Sequence, residues 1–134
     1  SIIGPELKNN GEGLFHWFMG QSGTISGYTK SIWSGVTTME LAKVVELSIR
    51  KDIIGLYHVT NNSSINKYDL IKLFQKHMRK NIDITSVDGR DTNKSFIDTR
   101  NILNYEIPSY DLMISEMAEL VRNNKSLYSQ YENK

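Results

Sequence analysis

The sequence contains no cysteine and no long apolar run, and each absence removes a class of protein. Without cysteine the chain has no disulfide framework, no thiolate metal site and no cysteine nucleophile. No apolar stretch approaches the roughly 20 residues of a membrane span. Residues 1–10 also lack the basic start and the apolar segment of a signal peptide. We therefore expect a soluble, cytoplasmic protein.

Neither sign of charge dominates the sequence. Sixteen basic residues stand against 15 acidic residues, the formal net charge is +1, and the charges are spread along the chain. This distribution argues against nucleic acid or a membrane surface as a partner. A length of 134 residues with 39% hydrophobic residues is enough for one globular domain with its own core.

Apolar residues at helical spacing predict four helices, without repeats or low-complexity segments. The predicted helices cover residues 14–19, 38–51, 64–80 and a last segment that Ser109 opens. Thr37 and Glu40 form a capping box before the second helix, in which a hydroxyl and a carboxylate satisfy unpaired amides. The apolar stripe of that helix is predicted to comprise Leu41, Val44, Val45 and Ile49.

Short β-favouring runs predict strands between these helices. The predicted strands cover residues 1–3, 24–28, 55–60 and 82–87, and the run at 55–60 is the clearest. Residues 29–36 and the charged segment 88–95 are predicted loops. The mixed order of elements predicts an α/β fold, or an α+β fold for the isolated chain. We expect one domain over residues 1–122 and a polar tail over 123–134 that frays.

Local motifs for catalysis are weak. Tyr68 and Lys72 have the Tyr-x-x-x-Lys spacing at which a helix lets a lysine lower the pKa of a tyrosine. Tyr68 also lies on the apolar stripe of its helix, which favours core packing. Gly11 and Gly13 are half of a dinucleotide-binding fingerprint, without its third glycine or a long preceding strand. We assign no catalytic and no cofactor-binding residue.

No metal site is predicted either. His16, His58 and His77 are far apart and lack the paired spacing of metal ligands. Asp88 and Asp91 lie three residues apart in a predicted loop, where solvated carboxylates are commoner than acid/base pairs.

The order of several segments carries more information than any single motif. These segments are residues 1–4, 34–42, 55–59, 64–74 and 94–100. Together they resemble the carboxyl-terminal part of the dTDP-4-dehydrorhamnose reductase family of extended short-chain dehydrogenases. They correspond in turn to a strand and turn, a Gly-Ser-Pro-Thr loop with its helix, a Gly-x-Tyr-His strand, a further helix and an arginine-containing stretch. The resemblance covers nearly the whole chain, with departures at Val36, where reductases often have proline, and at Lys94, where many have arginine.

The resemblance implies the substrate-binding part of an NAD(P)H-dependent reductase that acts on a 4-keto sugar nucleotide for bacterial surface-polysaccharide synthesis. In that family the Rossmann half, with the NADPH or NADH site and the catalytic tyrosine, precedes the point where this chain begins. The strand at residues 1–3 agrees with a chain cut from something larger. The implied partners are a dTDP- or UDP-linked sugar nucleotide and the missing Rossmann half, and a homodimer of the parent is compatible with them. The fragment alone is expected to be inactive.

Candidate binding residues follow from ligand chemistry and position. A diphosphate needs cations, and Lys30, Arg90 and Lys94 in the predicted loops are the candidates, with exposed salt bridging as the alternative for each. A base or sugar ring needs a flat apolar face, for which Trp33 is the first candidate. Ser34, next to Trp33, is also a candidate substrate-binding residue.

Two alternatives stay open at this point. Trp17 is the second candidate for an aromatic platform, although we expect it in the core. The chain is either a reductase fragment or a stand-alone binding module without catalysis. Within the first alternative, a related UDP-amino-sugar reductase or epimerase fits the same segments.

Overall fold

A computed structural model of the protein describes residues 1–132 and has an α/β architecture of four helices and short strands. The helices are α1 (Leu14–Met19), α2 (Thr38–Arg50), α3 (Lys67–Met78) and α4 (Tyr110–Asn123), followed by a 3₁₀ turn at Ser129–Tyr131. The strands are β1 (Ile2–Ile3), β2 (Thr24–Tyr28), β3 (Ser31–Trp33), β4 (Val36–Thr37), β5 (Ile65–Asn66), β6 (Asp83–Val87) and β7 (Thr92–Lys94). The predicted fold class is confirmed.

The strands form three small sheets. In two of them a pair of strands runs parallel, β1 with β4 and β2 with β6. In the third, β3 lies between antiparallel β5 and parallel β7. Gly35 permits the approach of β1 to β4, because a Cβ atom there would lie 2.1 Å from the carbonyl oxygen of Ser1. Strands β3 and β7, and the first residue of β4, fall inside segments that the sequence predicted as loops.

Helix caps follow the sequence in most places. The Ser109 side chain accepts a hydrogen bond from the amide of Leu112 and caps α4, as predicted. The Thr37 hydroxyl likewise accepts from the amide of Glu40, 3.3 Å away. The predicted capping box is nevertheless only half formed, because the buried Glu40 carboxylate pairs with the ammonium group of Lys43 instead. At α3 the cap is Asn66, two residues after the predicted start.

The core lies where α1, α3 and α4 pack together. The ring of Phe15 meets the rings of Phe74 and Tyr131 edge to face, with centroids 5.4 and 5.3 Å away. Tyr131 and Tyr128 are both buried. The expected fraying of the tail is therefore wrong at Tyr128 and Tyr131, because these tyrosines fill the core. Residues 133 and 134 of that tail lie outside the described residues.

One segment and one helix face differ from the sequence prediction. Residues 55–60 form no strand, because no other segment within residues 1–132 supplies a hydrogen-bonding neighbour. Of the predicted stripe on α2, Val44 is buried, but Ile49 is 72% exposed. In the loop that follows, Ile54 and Leu56 are 82% and 79% exposed. Three large aliphatic side chains at and after the end of α2 are thus exposed.

Candidate functional site

The ends of β2 and β6 and the starts of β3 and β7 run side by side and build the candidate site. The amide of Lys30 donates to the carbonyl of Asp88 at 3.0 Å, and the amide of Thr92 donates to the carbonyl of Lys30 at 3.1 Å. The Ser31 hydroxyl donates to the carbonyl of Arg90 at 3.0 Å. Two segments about 60 residues apart in the sequence are thereby held in register.

This register brings two predicted binding residues together. Trp33 of β3 pairs with Lys94 of β7 in the parallel ladder. Neighbouring strands lie about 4.8 Å apart, so these residues belong to one local surface. The Trp33 indole is partly buried and packs against the ring of Tyr110, with centroids 5.8 Å apart. It thus combines a structural contact with a position beside the site.

A cleft of about 400 Å³ opens at this point. It carries positive charge from three side chains, and none of its lining residues is acidic. We call it the cationic cleft, and it is lined by Tyr28, Ser31, Ile32, Trp33, Lys67, Gly89, Arg90, Thr92 and Lys94. Concave sites of one sign of charge attract ligands of the opposite sign.

The cations of the cleft are free to bind a ligand. Within residues 1–132, Lys67, Arg90 and Lys94 are exposed and form no salt bridge. Lys30 differs, because its ammonium nitrogen lies 2.7 Å from Oδ2 of Asp88. Hydrogen bonding to Asp88 and the charge of that carboxylate raise the pKa of Lys30. Lys30 lies beside the cleft and does not line it. It forms an exposed salt bridge, which was the alternative to diphosphate binding predicted for this residue.

An apolar recess of about 210 Å³ adjoins the cationic cleft and shares Tyr28 and Lys67 with it. Its other lining residues are Leu14, Trp17, Ser26, Gly27 and Ile71. Trp17 is 41% exposed, so its expected place in the core is wrong. Helix α1 is only six residues long, and it buries Phe15 and Phe18 while Trp17 remains at the surface. The recess thus offers aromatic faces next to the cations.

Gly89 shapes the turn beside the cleft. It has a φ of +67°, a backbone conformation that glycine adopts without strain. A Cβ atom at this position would lie 2.4 Å from the ring of Tyr28. A side chain at residue 89 would therefore both strain the turn and displace an aromatic wall of the cleft.

Ser34, another predicted binding residue, lies outside the cleft. It is fully buried, its hydroxyl accepts from the amide of Phe96 at 2.6 Å, and it lies 3.3 Å from the carbonyl of that residue. These bonds tie the end of β3 to the segment after β7. In this conformation the hydroxyl is occupied and out of reach of a ligand.

Of the nine residues that line the cleft, sequence reasoning found Trp33, Arg90 and Lys94, and the most important of those it missed are Lys67 and Tyr28. Lys67 is the first residue of α3 and reaches the site because β5, directly before it, pairs with β3. Tyr28 is the last residue of β2 and is 44% exposed. An aromatic residue at the end of a predicted strand was the one available sequence signal for Tyr28. Nothing in the local sequence distinguished Lys67 from other surface lysines.

The glycines at 11 and 13 do not fit a dinucleotide. The amide of Gly13 donates to Oε1 of Glu6 at 2.6 Å, and the amide of Glu12 donates to Oε2 at 3.3 Å. A carboxylate thus already occupies the amides that a pyrophosphate would use, and its negative charge would repel one. Helix α1, which follows, is too short to supply a strong dipole.

The Tyr68–Lys72 pair and two of the histidines make contacts within the protein. Lys72 donates to the side chain of Gln75 at 3.0 Å, and the backbone and ring of Tyr68 lie against Gly27. The pair therefore has structural contacts of its own. His16 bonds to Tyr131 and His77 to Asp111. Across residues 1–132 no cluster of metal-binding side chains is found, and no helix is long and apolar enough to cross a membrane.

Comparison with known proteins identifies the fold. No protein-family model matches the chain, and no curated protein matches it. Among solved structures, it is similar to a dTDP-4-dehydrorhamnose reductase from Bacillus anthracis in complex with NADP, with a TM-score of 0.71 and 17% identity over 87% of this chain and 44% of that one.

Two other enzymes share the fold. A UDP-N-acetylglucosamine 4-epimerase from Methanobrevibacter ruminantium, in complex with UDP-N-acetylmuramic acid, has a TM-score of 0.66 and 20% identity over 92% of this chain and 44% of that one. A dTDP-glucose 4,6-dehydratase from Bacillus anthracis, in complex with NAD, has a TM-score of 0.67 and 12% identity over 98% and 45%.

The chain therefore spans less than half the length of these structures and has the fold of part of each. The resemblance that the order of the sequence segments predicted is confirmed at the level of the fold. At identities of 12–20% the function depends on the chemistry of the cleft.

Proposed function

We propose that this chain is the sugar-nucleotide-binding part of an NAD(P)H-dependent oxidoreductase that reduces a 4-keto sugar nucleotide, as in surface-polysaccharide synthesis. One observation carries the proposal: three cations that form no salt bridge within residues 1–132 surround a cleft that adjoins an aromatic recess. This combination matches a ligand with a doubly charged diphosphate next to a flat ring. The matching fold of sugar-nucleotide enzymes supports it.

Each part of the ligand has a chemical counterpart in this chain. Arg90 and Lys94 donate charge-assisted hydrogen bonds to the diphosphate, and Lys67 adds charge from the start of α3. The aromatic faces of Tyr28 and Trp17 accommodate the base in the recess. These contacts are remote from the carbon that is reduced, so they hold ground state and transition state equally.

The proposed parent supplies the rest of the reaction. NADPH or NADH provides the hydride and is bound by a Rossmann half outside this chain, which agrees with the unsuitable glycines at 11 and 13. The exposed side chains of Ile49, Ile54 and Leu56 support a partner surface for that half. The proposed location is cytoplasmic.

Nucleotide binding tests the proposal directly. We expect dTDP, added to the isotopically labelled 134-residue chain, to shift the amide NMR signals of β3, β7 and the turn at Gly89. Binding should be weak, because part of the pocket wall belongs to the other half. Lys94→Ala should weaken binding about three- to tenfold, the loss of one charged hydrogen bond at an exposed site.

Lys8→Ala is the matched control, because Lys8 is exposed and outside the cleft. Equal weakening by both variants would mean unspecific charge attraction and would contradict the proposal, as would shifts confined to other surfaces. A comparison of UDP with dTDP under the same conditions identifies the preferred base. In a complete reductase, Lys94→Ala should raise KM and leave kcat nearly unchanged.

A further inference from the structure

A second cavity lies apart from the cationic cleft, between the segment that follows α2 and the segment that follows β7. Its volume is about 390 Å³, and it shares no lining residue with the cationic cleft or the apolar recess. We call it the amide pocket, after the asparagines in its wall, and define it by Tyr57, Asn101, Asn104, Tyr105 and Glu106.

The charge of the amide pocket is opposite to that of the cationic cleft. Its lining contains the carboxylates of Asp98 and Glu106 and no lysine, arginine or histidine. A phosphate group would meet repulsion here and no cation to compensate it. The amide pocket is therefore unsuited to the diphosphate that the cationic cleft accepts.

The Asp98 carboxylate is already engaged by the protein. The Tyr57 hydroxyl donates to its Oδ2, and the amides of Arg100 and Asn101 donate to its Oδ1 at 2.9 and 3.0 Å. Burial opposes ionisation, but these hydrogen bonds and the charge of Arg100 outweigh it and lower the pKa of Asp98. Asp98 thus serves to hold the loop, and Glu106 is the one carboxylate of the pocket without a hydrogen-bond or ion-pair partner among residues 1–132.

Asn61 and Asn62, which also line the amide pocket, are engaged by the protein as well. The Asn61 side chain donates to the carbonyl of Pro108 at 3.0 Å, and the Asn62 side chain accepts from the amide of Asp98 at 2.6 Å. By contrast, the side chains of Asn101 and Asn104 make no hydrogen bond to any residue in 1–132. Each presents a free donor and a free acceptor to the cavity region.

The two asparagines with free amides share an unusual backbone conformation. Asn101 and Asn104 have φ values of +46° and +48°, in the left-handed region. The loop between them is tied down at Leu103, which is buried and whose carbonyl accepts from Lys51. Burial, and then the nearby carboxylate of Glu40, raise the pKa of Tyr105. The backbone of this part of the pocket wall is thus held at Leu103.

We propose that the amide pocket binds a neutral saccharide. Vicinal hydroxyls pair with a group that donates and accepts at once, which Asn101 and Asn104 provide, and Glu106 accepts from a further hydroxyl. The rings of Tyr57 and Tyr105 supply apolar contact to the sugar face. A divalent cation is disfavoured, because one free carboxylate is too little charge for a hard-cation site.

Free monosaccharides test this site without involving the nucleotide site. We expect L-rhamnose, D-glucose or N-acetyl-D-glucosamine, at millimolar concentrations, to shift NMR signals of residues 98–106 in a saturable way. Asn104→Gly keeps the left-handed backbone and removes the amide, so it should weaken binding about three- to tenfold. Asn81→Gly is the matched control, since Asn81 is exposed and outside the pocket.

Each outcome of the sugar titration either supports or overturns the saccharide site. Saturable shifts that Asn104→Gly weakens and Asn81→Gly does not would support the proposal. Absence of shifts with all three sugars would overturn it, and so would shifts that occur only with Ca²⁺ and disappear in Glu106→Gln. Because dTDP reports on the cationic cleft alone, the proposal for one site can be overturned while the proposal for the other is supported.

Discussion

The ammonium nitrogen of Lys43 lies 3.1 Å from Oε2 of Glu40, a carboxylate that is fully buried. The same nitrogen lies 3.1 Å from Oε2 of Glu116 and so joins α2 to α4. The other oxygen of Glu40, Oε1, is buried without a hydrogen-bond partner among residues 1–132. Lys43 is therefore the main compensation for the charge of Glu40.

Lys43→Met should destabilise the protein by about 1–3 kcal/mol, because it leaves a buried carboxylate unpaired. The loss should stay below that of a fully buried pair, since the Lys43 side chain is 43% exposed and solvent screens it. Urea unfolding at neutral pH measures the change. The double variant Glu40→Gln/Lys43→Met should recover much of the stability, because it removes the unpaired charge. Wild-type stability in Lys43→Met would show that solvent or Tyr105 compensates Glu40 instead.

The pair of Tyr57 and Asp98 makes stability sensitive to alkaline pH. Burial, and then hydrogen bonding to Asp98 and its charge, raise the pKa of Tyr57 to about 12 from an ordinary 10.0. A group whose pKa is raised by folding contributes its full stability below pH 10, and that contribution is lost as the pH rises towards 12. We therefore expect the free energy of unfolding to fall across this interval.

Tyr57→Phe checks the assignment. An absorbance titration of the folded protein should lose its highest tyrosine midpoint in this variant, and the alkaline fall in stability should become shallower. The variant should also cost about 1 kcal/mol at neutral pH, from the lost hydrogen bond. Tyr28→Phe, at an exposed tyrosine, is the control. An unchanged titration in Tyr57→Phe would assign the high midpoint to another tyrosine.

Tyr131 should be as important to stability as a residue of the central helices. It is 5% exposed, packs on Phe15, and its hydroxyl accepts from the amide of Glu6 at 2.9 Å. Tyr131→Ala should cost about 3–5 kcal/mol, as for other large aromatics in a core. Tyr131→Phe should cost about 1 kcal/mol, the value of its hydrogen bonds alone. Thermal unfolding measures both losses. A loss below 1 kcal/mol in Tyr131→Ala would show that the tail frays, as the sequence predicted.

Local signals predicted the regular elements well. Three helices begin where the sequence predicted them. Helix α1 follows Gly13, α2 follows Thr37 and α4 follows Ser109. Capping and apolar spacing act within a few residues of each other, so the sequence contains their whole cause. The strand at 55–60 was wrong for the opposite reason. Its β-favouring residues are present, but the hydrogen bonds of a strand require a neighbour that residues 1–132 do not supply.

The candidate site divides in the same way. The sequence by itself determined which residues have suitable chemistry, namely Trp33, Arg90 and Lys94, and the order of segments that resembles the reductases. Only the tertiary structure decided that Trp33 and Lys94 are register partners, that Lys67 joins them, and that Ser34 and Lys30 are occupied elsewhere. The physical reason is that strand pairing and ion pairing connect residues about 60 positions apart, and such partners are selected by packing of the whole chain, which no local pattern records.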